Sequence, residues 1–172
     1  HPALDPVGLG IAQLEGGARR VGPLLHRALE GGGHRFLHLA HQVGRHLEPA
    51  GEDQGVSLSV HASYFFNLNA LDEEWPKSRK RLMDAAHYGN LAGATDIIFH
   101  PGSYFGNPPS DVLRIAIPRL KAFMAELRKA KNPVILRPET MGKSAMLGSF
   151  EDTLEMSKAI EGVEPCIDFA HL

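Results

Sequence analysis

Cysteine is almost missing from this chain: Cys166 stands alone, so no internal disulfide can brace the fold and stability must come from a packed core. Also missing is any apolar run of about 18 residues, the length that crosses a bilayer as a helix. No secretory leader is recognisable, so a cytoplasmic protein without a membrane partner is expected. A formal net charge of −2 supplies no broad basic field; a nucleic-acid partner would have to be held by local contacts or by bound metal. Hydrophobic content of 43% and charged content of 22% over 172 residues are ordinary for a globular chain and suffice for one domain or a piece of one.

Lysine is absent from the first 76 residues, and its absence marks a division. Six of the ten histidines (His1, His26, His34, His38, His41 and His46) and ten of the eighteen glycines fall within residues 1–54. Two explanations are open for this segment: divergent or linker-like first units, or translation out of frame from a GC-rich gene. Such frames yield Gly, Ala, Arg, Pro, His and Leu in excess, and the chain has no initiating Met. The other two frames of the coding DNA decide it, because an amphipathic βα pattern in neither one removes the frameshift. The run Gly31–Gly33 has no preceding strand and no phosphate-loop lysine, so it is expected to be a turn.

From residue 55 a regular pattern begins. Residues 55–61 (GVSLSVH) alternate as a strand does, and SYFFNLNALDEE follows as a loop. Residues 75–92 place Leu82, Ala85, Ala86 and Leu91 on one helical face, with Pro76 in the first turn and Gly93 as the stop. The unit then repeats. IIFH (97–100), the turn-rich PGSYFGNPPSD and a helix over 112–130 are followed by VIL (134–136), the loop MGKSAMLGS, a helix over 150–160 capped by Ser149, and a last strand in PCIDFAHL. Strand alternating with helix in this way predicts βα units around a parallel sheet.

The polar residues fall at the strand ends. His61, His100 and Glu139 are separated by 39 residues each time, and Asp168 follows 29 later. In a barrel all carboxyl ends open on one face, where side chains from successive strands converge; an open doubly wound sheet concentrates its site at one switch point instead. The expected fold is therefore α/β, a (β/α)8 TIM barrel, with residues 55–172 supplying roughly strands 3 to 6, residues 1–54 standing where two more would lie, and the last two units absent.

His61, His100, Glu139, Asp168 and His171 make a ligand set suited to Zn²⁺ or a similar ion. Any one of them alone would more often be a hydrogen-bonded structural group; five at matching strand ends shift the balance. Glu139 is the candidate catalytic residue, because a carboxylate can bridge two cations about 3.5–4 Å apart, the clamp used in phosphoryl transfer, with a bound water ionising near neutral pH. Cys166 reads as a small core residue, and Arg137 and Lys143 as candidate phosphate contacts.

Four segments, VHASYFFNLN (60–69), FHPGS (99–103), LRPETMGK (136–143) and PCIDFAHL (165–172), together resemble the endonuclease IV family of apurinic/apyrimidinic endonucleases, with RPET-x-GK and PCIDFAH most similar to its archaeal-type branch. The resemblance runs over residues 56–172 and is not shared by 1–54. It implies a zinc-dependent TIM barrel with three metal ions, Mn²⁺ being the alternative ion, that hydrolyses the phosphodiester 5′ to abasic sites in double-stranded DNA during base excision repair. His61 and His100 would bind one ion, Glu139 would bridge it to a second held by Asp168, and His171 would bind the third. The family's remaining ligands, a His, an Asp-x-His pair and a Glu, come from later strands. Its DNA wedge, a Tyr-Leu pair after the first His, is matched by Tyr64 and Phe65, with Ser63 in place of the usual Pro; such a wedge unstacks a base step. The alternative for Tyr64, Phe65 and Phe66 is that they cap the barrel core.

Two other functions are weighed. A xylose isomerase-like sugar isomerase or epimerase shares the barrel and a divalent metal but relies more on carboxylates, whereas His fills three of the five positions here. The third reading is a non-catalytic fragment: the complete protein would act as a monomer, while an unclosed barrel exposes a strand edge and apolar helix faces and is expected to be inactive alone.

Overall fold

The structure is a computed structural model that describes residues 57–172 and, before them, only the backbone of Gly10–Ile11. Apart from that pair, the expectations for residues 1–54, including the turn at Gly31–Gly33, lie outside the described residues.

Strand β1 is Gly10–Ile11 and β2 is Ser59–His61; helix α1 (Trp75–Leu91) leads to β3 (Asp96–Phe99) and the two-residue β4 (Gly102–Ser103). Helix α2 (Pro109–Lys129), β5 (Ile135–Pro138), the short β6 (Met146–Leu147), α3 (Phe150–Ala159) and a 3₁₀ turn at Phe169–His171 complete the order. The main sheet runs β1-β2-β3-β5. β2, β3 and β5 are parallel, with His61 opposite Ile98 and Phe99 opposite Pro138, while β1 is antiparallel to β2. The parallel βα units expected from the sequence are thus present, and they form part of a barrel.

Alternation along the strands decides the two faces. Ile97, Phe99 and Leu136 are fully buried against the helices, while Asp96, Ile98 and Arg137 face the other way and are only partly covered. α1 contributes Leu82, Ala85 and Ala86 to the core, and α2 contributes Val112, Ala116, Leu120, Phe123, Met124 and Leu127 at helical spacing. Gly89 allows α1 to lie close to the sheet, because a Cβ there would come within 2.6 Å of Ile97 Cδ1. Gly93, at φ 83° beyond the C-cap Ala92, is the expected helix stop. The opposite face carries a charged layer in which Arg137 donates to Asp96 (2.6 Å) and Glu164 (2.7 Å).

Two expectations need correction. The loops PGSYFGNPPSD and MGKSAMLGS are not free of strand: β4 and β6 pair antiparallel, Gly102 with Leu147 and Ser103 with Met146, and lash the two loops together. PCIDFAHL is not a regular strand. Its one bridge is isolated, Cys166 to Glu139 just past β5, and the segment before it adds only Val163 to Leu136. Pro165 has no N–H to give a ladder, and the Asp168 carboxylate accepts from Ala170 N at 2.8 Å, turning the chain into the 3₁₀ turn.

Candidate metal centre

The parallel register brings the strand ends together. Ala62 N donates to Ile98 O and Glu139 N donates to Phe99 O, which sets His61, His100 and Glu139 side by side at the carboxyl ends of β2, β3 and β5. Cys166 N donates to Pro138 O and Thr140 N to Cys166 O, which carries Asp168 and His171 to the same mouth. All five expected residues therefore meet. Among the described residues their donor atoms form two groups, His61–His100–Glu139 and Glu139–Asp168–His171, each within 4.8 Å.

Glu139 is the shared member, and its two oxygens face different groups. Oε2 lies 2.9 Å from His61 Nε2 and 3.3 Å from His100 Nε2; Oε1 lies 3.7 Å from His171 Nδ1. The His100 and His61 rings hold the buried Glu139 carboxyl far below the usual carboxylate range, against the opposing effect of burial. Burial works against a charge on His61, but the hydrogen bonds to Glu139 and to the Ala62 carbonyl outweigh it and its pKa is raised. His61 Nδ1 donates to that carbonyl at 2.8 Å, which directs Nε2 at the carboxylate. His61 Nε2 and His100 Nε2 thus both face Glu139 Oε2, a set of nitrogen and oxygen ligand atoms of the kind a divalent cation takes. The residues fit a metal ion.

The second group is held by a residue that the sequence reading passed over. Buried Thr140 accepts from Asp168 N at 2.8 Å, and its own carbonyl accepts from His171 Nδ1 at 2.8 Å. His171 Nδ1 is thus engaged, also lying 3.3 Å from Asp168 Oδ2, and Nε2 is its remaining donor. Gly142 permits this approach, since a Cβ there would be 3.2 Å from His171 Cα. The signal was the Thr following Glu139 in RPET, a small hydroxyl residue beside a strand-end carboxylate.

Tyr64, Phe65 and Phe66 divide. Phe66 is buried against Phe99 and Phe123, whereas Tyr64 and Phe65 are 70% and 76% exposed. Tyr64 lies over both imidazoles of the first group, stacked on His61 at 5.2 Å and edge-on to His100 at 4.7 Å. Phe65 N donates to Ser63 Oγ, and Arg81 donates to the Phe65 carbonyl and lies over its ring. Arg137 is not available to phosphate, because both its ion pairs are made within the sheet face below the mouth; Lys143 is exposed. Burial and the nearby Glu139 carboxylate push the Cys166 thiol up, away from nucleophilic behaviour.

Parallel βα units whose polar side chains converge on the strand ends define a (β/α)-barrel protein with its site at the mouth. The chain belongs to the xylose isomerase-like TIM barrel family, whose sequence profile matches residues 28–172. It is 33% identical over 118 residues to endonuclease 4 of Thermus thermophilus, covering 68% of this chain and 41% of that protein. An uncharacterised protein of Methanocaldococcus jannaschii is 30% identical over 137 residues, covering 79% of this chain and 49% of that one. Among solved structures, a D-tagatose 3-epimerase-like protein superposes with a TM-score of 0.61 at 20% identity, covering 81% of this chain and 54% of the other. The chain therefore spans about half the length of the relatives it matches. No helix among the described residues is long and apolar enough to cross a membrane.

Proposed function

We propose that this chain is the central part of a metal-dependent apurinic/apyrimidinic endonuclease that hydrolyses the phosphodiester 5′ to an abasic site in double-stranded DNA, a step of base excision repair. The observation that carries the reading is Glu139, whose two carboxylate oxygens face two separate donor groups. A carboxylate so placed suits a pair of cations that steady the attacking and leaving oxygens of a phosphodiester. The ion, Zn²⁺ by the imidazole-rich donor set or Mn²⁺ in its place, would be held by His61, His100, Glu139, Asp168 and His171 and would supply Lewis acidity and water activation.

The chain's own residues do the rest. His61 is oriented through its Nδ1 bond to Ala62 O, and Thr140 fixes Asp168 and His171 against Glu139. Tyr64 lies over the imidazoles and Phe65, next along the loop, is exposed; an apolar pair so presented can enter the gap left by a lost base. The alternative, a sugar isomerase or epimerase, draws on likeness at 20% identity, which speaks for the fold alone; the 33% identity to endonuclease 4 favours the nuclease.

Catalysis is proposed for the complete protein, and binding tests the chain itself. With Zn²⁺ present, the chain is expected to retain a duplex holding a tetrahydrofuran abasic analogue in preference to the intact duplex, and Tyr64→Ala with Phe65→Ala to erase the preference. Metal-dependent turnover or binding of a ketose, with no preference for abasic DNA, overturns the proposal.

A further inference from the structure

Two asparagines in the run FNLN (66–69) belong to neither donor group, yet they join the loops that leave the mouth. The Asn67 side-chain oxygen, Oδ1, accepts from Asn69 N at 2.8 Å and from Ser103 N at 3.3 Å. Buried Asn69 sends the opposite chemistry across the same gap: its Nδ2 donates to Ser103 O at 2.9 Å and to Tyr104 O at 3.2 Å. The partners settle which end of each amide is which, because backbone N–H groups face the first and carbonyls face the second.

The clasp continues on both sides. Asn67 N donates to the buried Ser78 hydroxyl at 2.8 Å, and that hydroxyl donates back to Asn67 O at 2.9 Å, which pins the loop to α1. Ser103 Oγ and Tyr104 N both donate to Ala145 O, on the loop that follows Glu139. Gly102, at φ 130°, permits the close approach, since a Cβ there would run into Asn67 Oδ1. The loops that follow His61, His100 and Glu139 are therefore fastened to one another. Between His61 and Asn67 lies the turn that presents Tyr64 and Phe65. Ala62 N holds its start to Ile98 O, Phe66 N closes it on Ser63 O, and the Phe66 ring is sunk in the core. With Asn67 fixing its far end, the turn keeps Tyr64 over His61 and His100.

We propose that Asn67 and Asn69 are positioning residues, which hold the Tyr64–Phe65 turn against the imidazoles in the geometry that an abasic duplex meets. Side chains placed in advance need not be ordered on binding, so the clasp adds to the preference for abasic DNA without touching it. The proposal rests on the endonuclease reading for its DNA partner, whereas the placing of Tyr64 is measurable without DNA.

Asn67→Asp and Asn69→Asp add the same charge two residues apart, so any general repulsion of the phosphates is common to both. They differ at the clasp. A carboxylate at position 67 still accepts from both backbone N–H groups, whereas one at position 69 faces two carbonyls with nothing to donate. In the zinc-loaded chain the Tyr64 ring shifts the NMR signals of the His61 and His100 imidazoles, and Tyr64→Ala supplies the unshifted reference. Asn67→Asp is expected to keep the parent's imidazole shifts and its preference for a tetrahydrofuran duplex over the intact one. Asn69→Asp is expected to move the shifts toward the Tyr64→Ala reference and to lower the preference about tenfold. Asn69→Ala, which removes the donor without adding charge, takes its place if the carboxylate variant does not fold. Val134→Ala trims the core just before β5 and is expected to lower the melting temperature while keeping both the shifts and the preference. An Asn69 variant with the parent's shifts overturns the proposal, and so do moved shifts with an undiminished preference. Equal losses in Asn67→Asp and Asn69→Asp, or an equal loss in Val134→Ala, overturn it as well, because charge or stability alone would then account for them. Moved shifts in a parent background that shows no preference for abasic duplex overturn the endonuclease reading and the DNA role of the clasp with it.

Discussion

Glu139 is buried, yet the His100 and His61 rings hold its carboxyl far below the usual carboxylate range, and its value to the site lies in having two equivalent oxygens. Glu139→Gln keeps the volume but turns one oxygen into a donor that faces His61 and His100 or His171. Zinc affinity measured by calorimetry is expected to fall by more than the roughly 10–100-fold typical of removing a supporting hydrogen bond around a ligand; an unchanged affinity would show that the carboxylate is not a ligand. Tyr104 gives a pH-dependent prediction away from the site. Burial, and then its bond to Asp152, push the phenol from 10.0 up to about 12. Because the folded value is the higher one, the stabilisation is present in full below pH 10 and is lost as pH rises through about 12. Allowing for solvent screening at a partly exposed phenol it amounts to about 1 kcal/mol, so the gap in urea stability between the parent and Tyr104→Phe is expected to close between these two values.

At the scale of elements, the loop–helix junction before α3 ties structure to site. Ser149 accepts from Asp152 N, while Asp152 accepts from the backbone N of both Gly148 and Ser149. Ser149→Ala is expected to cost about 1 kcal/mol in denaturant unfolding. Gly148 sits at φ 126°, and a Cβ there would meet Glu139 O at 2.9 Å and Met141 Cγ at 2.8 Å. Gly148→Ala should therefore cost more than about 1 kcal/mol and also weaken zinc binding, a coupling that simple loss of a turn would not produce. These elements also show what was legible in advance. α1, α2 and α3 could be read because their apolar residues recur at helical spacing over ten residues or more, and Ser149 stood at the right place to cap. β4 and β6 could not, since two residues carry no periodicity and their pairing is a tertiary event. PCIDFAHL misled because its composition is that of a strand, while Pro165 and the Asp168 turn decide its backbone. Among the site residues, the meeting of His61, His100 and Glu139 was legible from their 39-residue spacing at strand ends, whereas Asp168 and His171 reach the mouth on a 3₁₀ turn and not on the expected strand. Thr140 and the contact of Tyr64 with two imidazoles were not, because each depends on the register between strands far apart in sequence.

The whole molecule is organised so that one face of its sheet packs on helices and the strand ends gather charge at the mouth. Two carboxylates and three imidazoles gathered at one mouth are a ligand set that only the folded chain presents, so ion binding should stabilise the fold as well as complete the site. At zinc a hundredfold above its dissociation constant the gain is about 2.7 kcal/mol, which for a chain of this size corresponds to a rise of about 5–10 °C in melting temperature, reversed by a chelator. Loading should follow the two donor groups that share Glu139. Native mass spectrometry is expected to show up to two zinc ions on the chain, one after His61→Ala with His100→Ala, one after Asp168→Asn with His171→Ala, and none held tightly after Glu139→Gln. A single ion lost equally in every variant would mean that the five residues form one site rather than two joined by a carboxylate, and the two-cation clamp on which the nuclease reading depends would then have no basis in this part of the barrel.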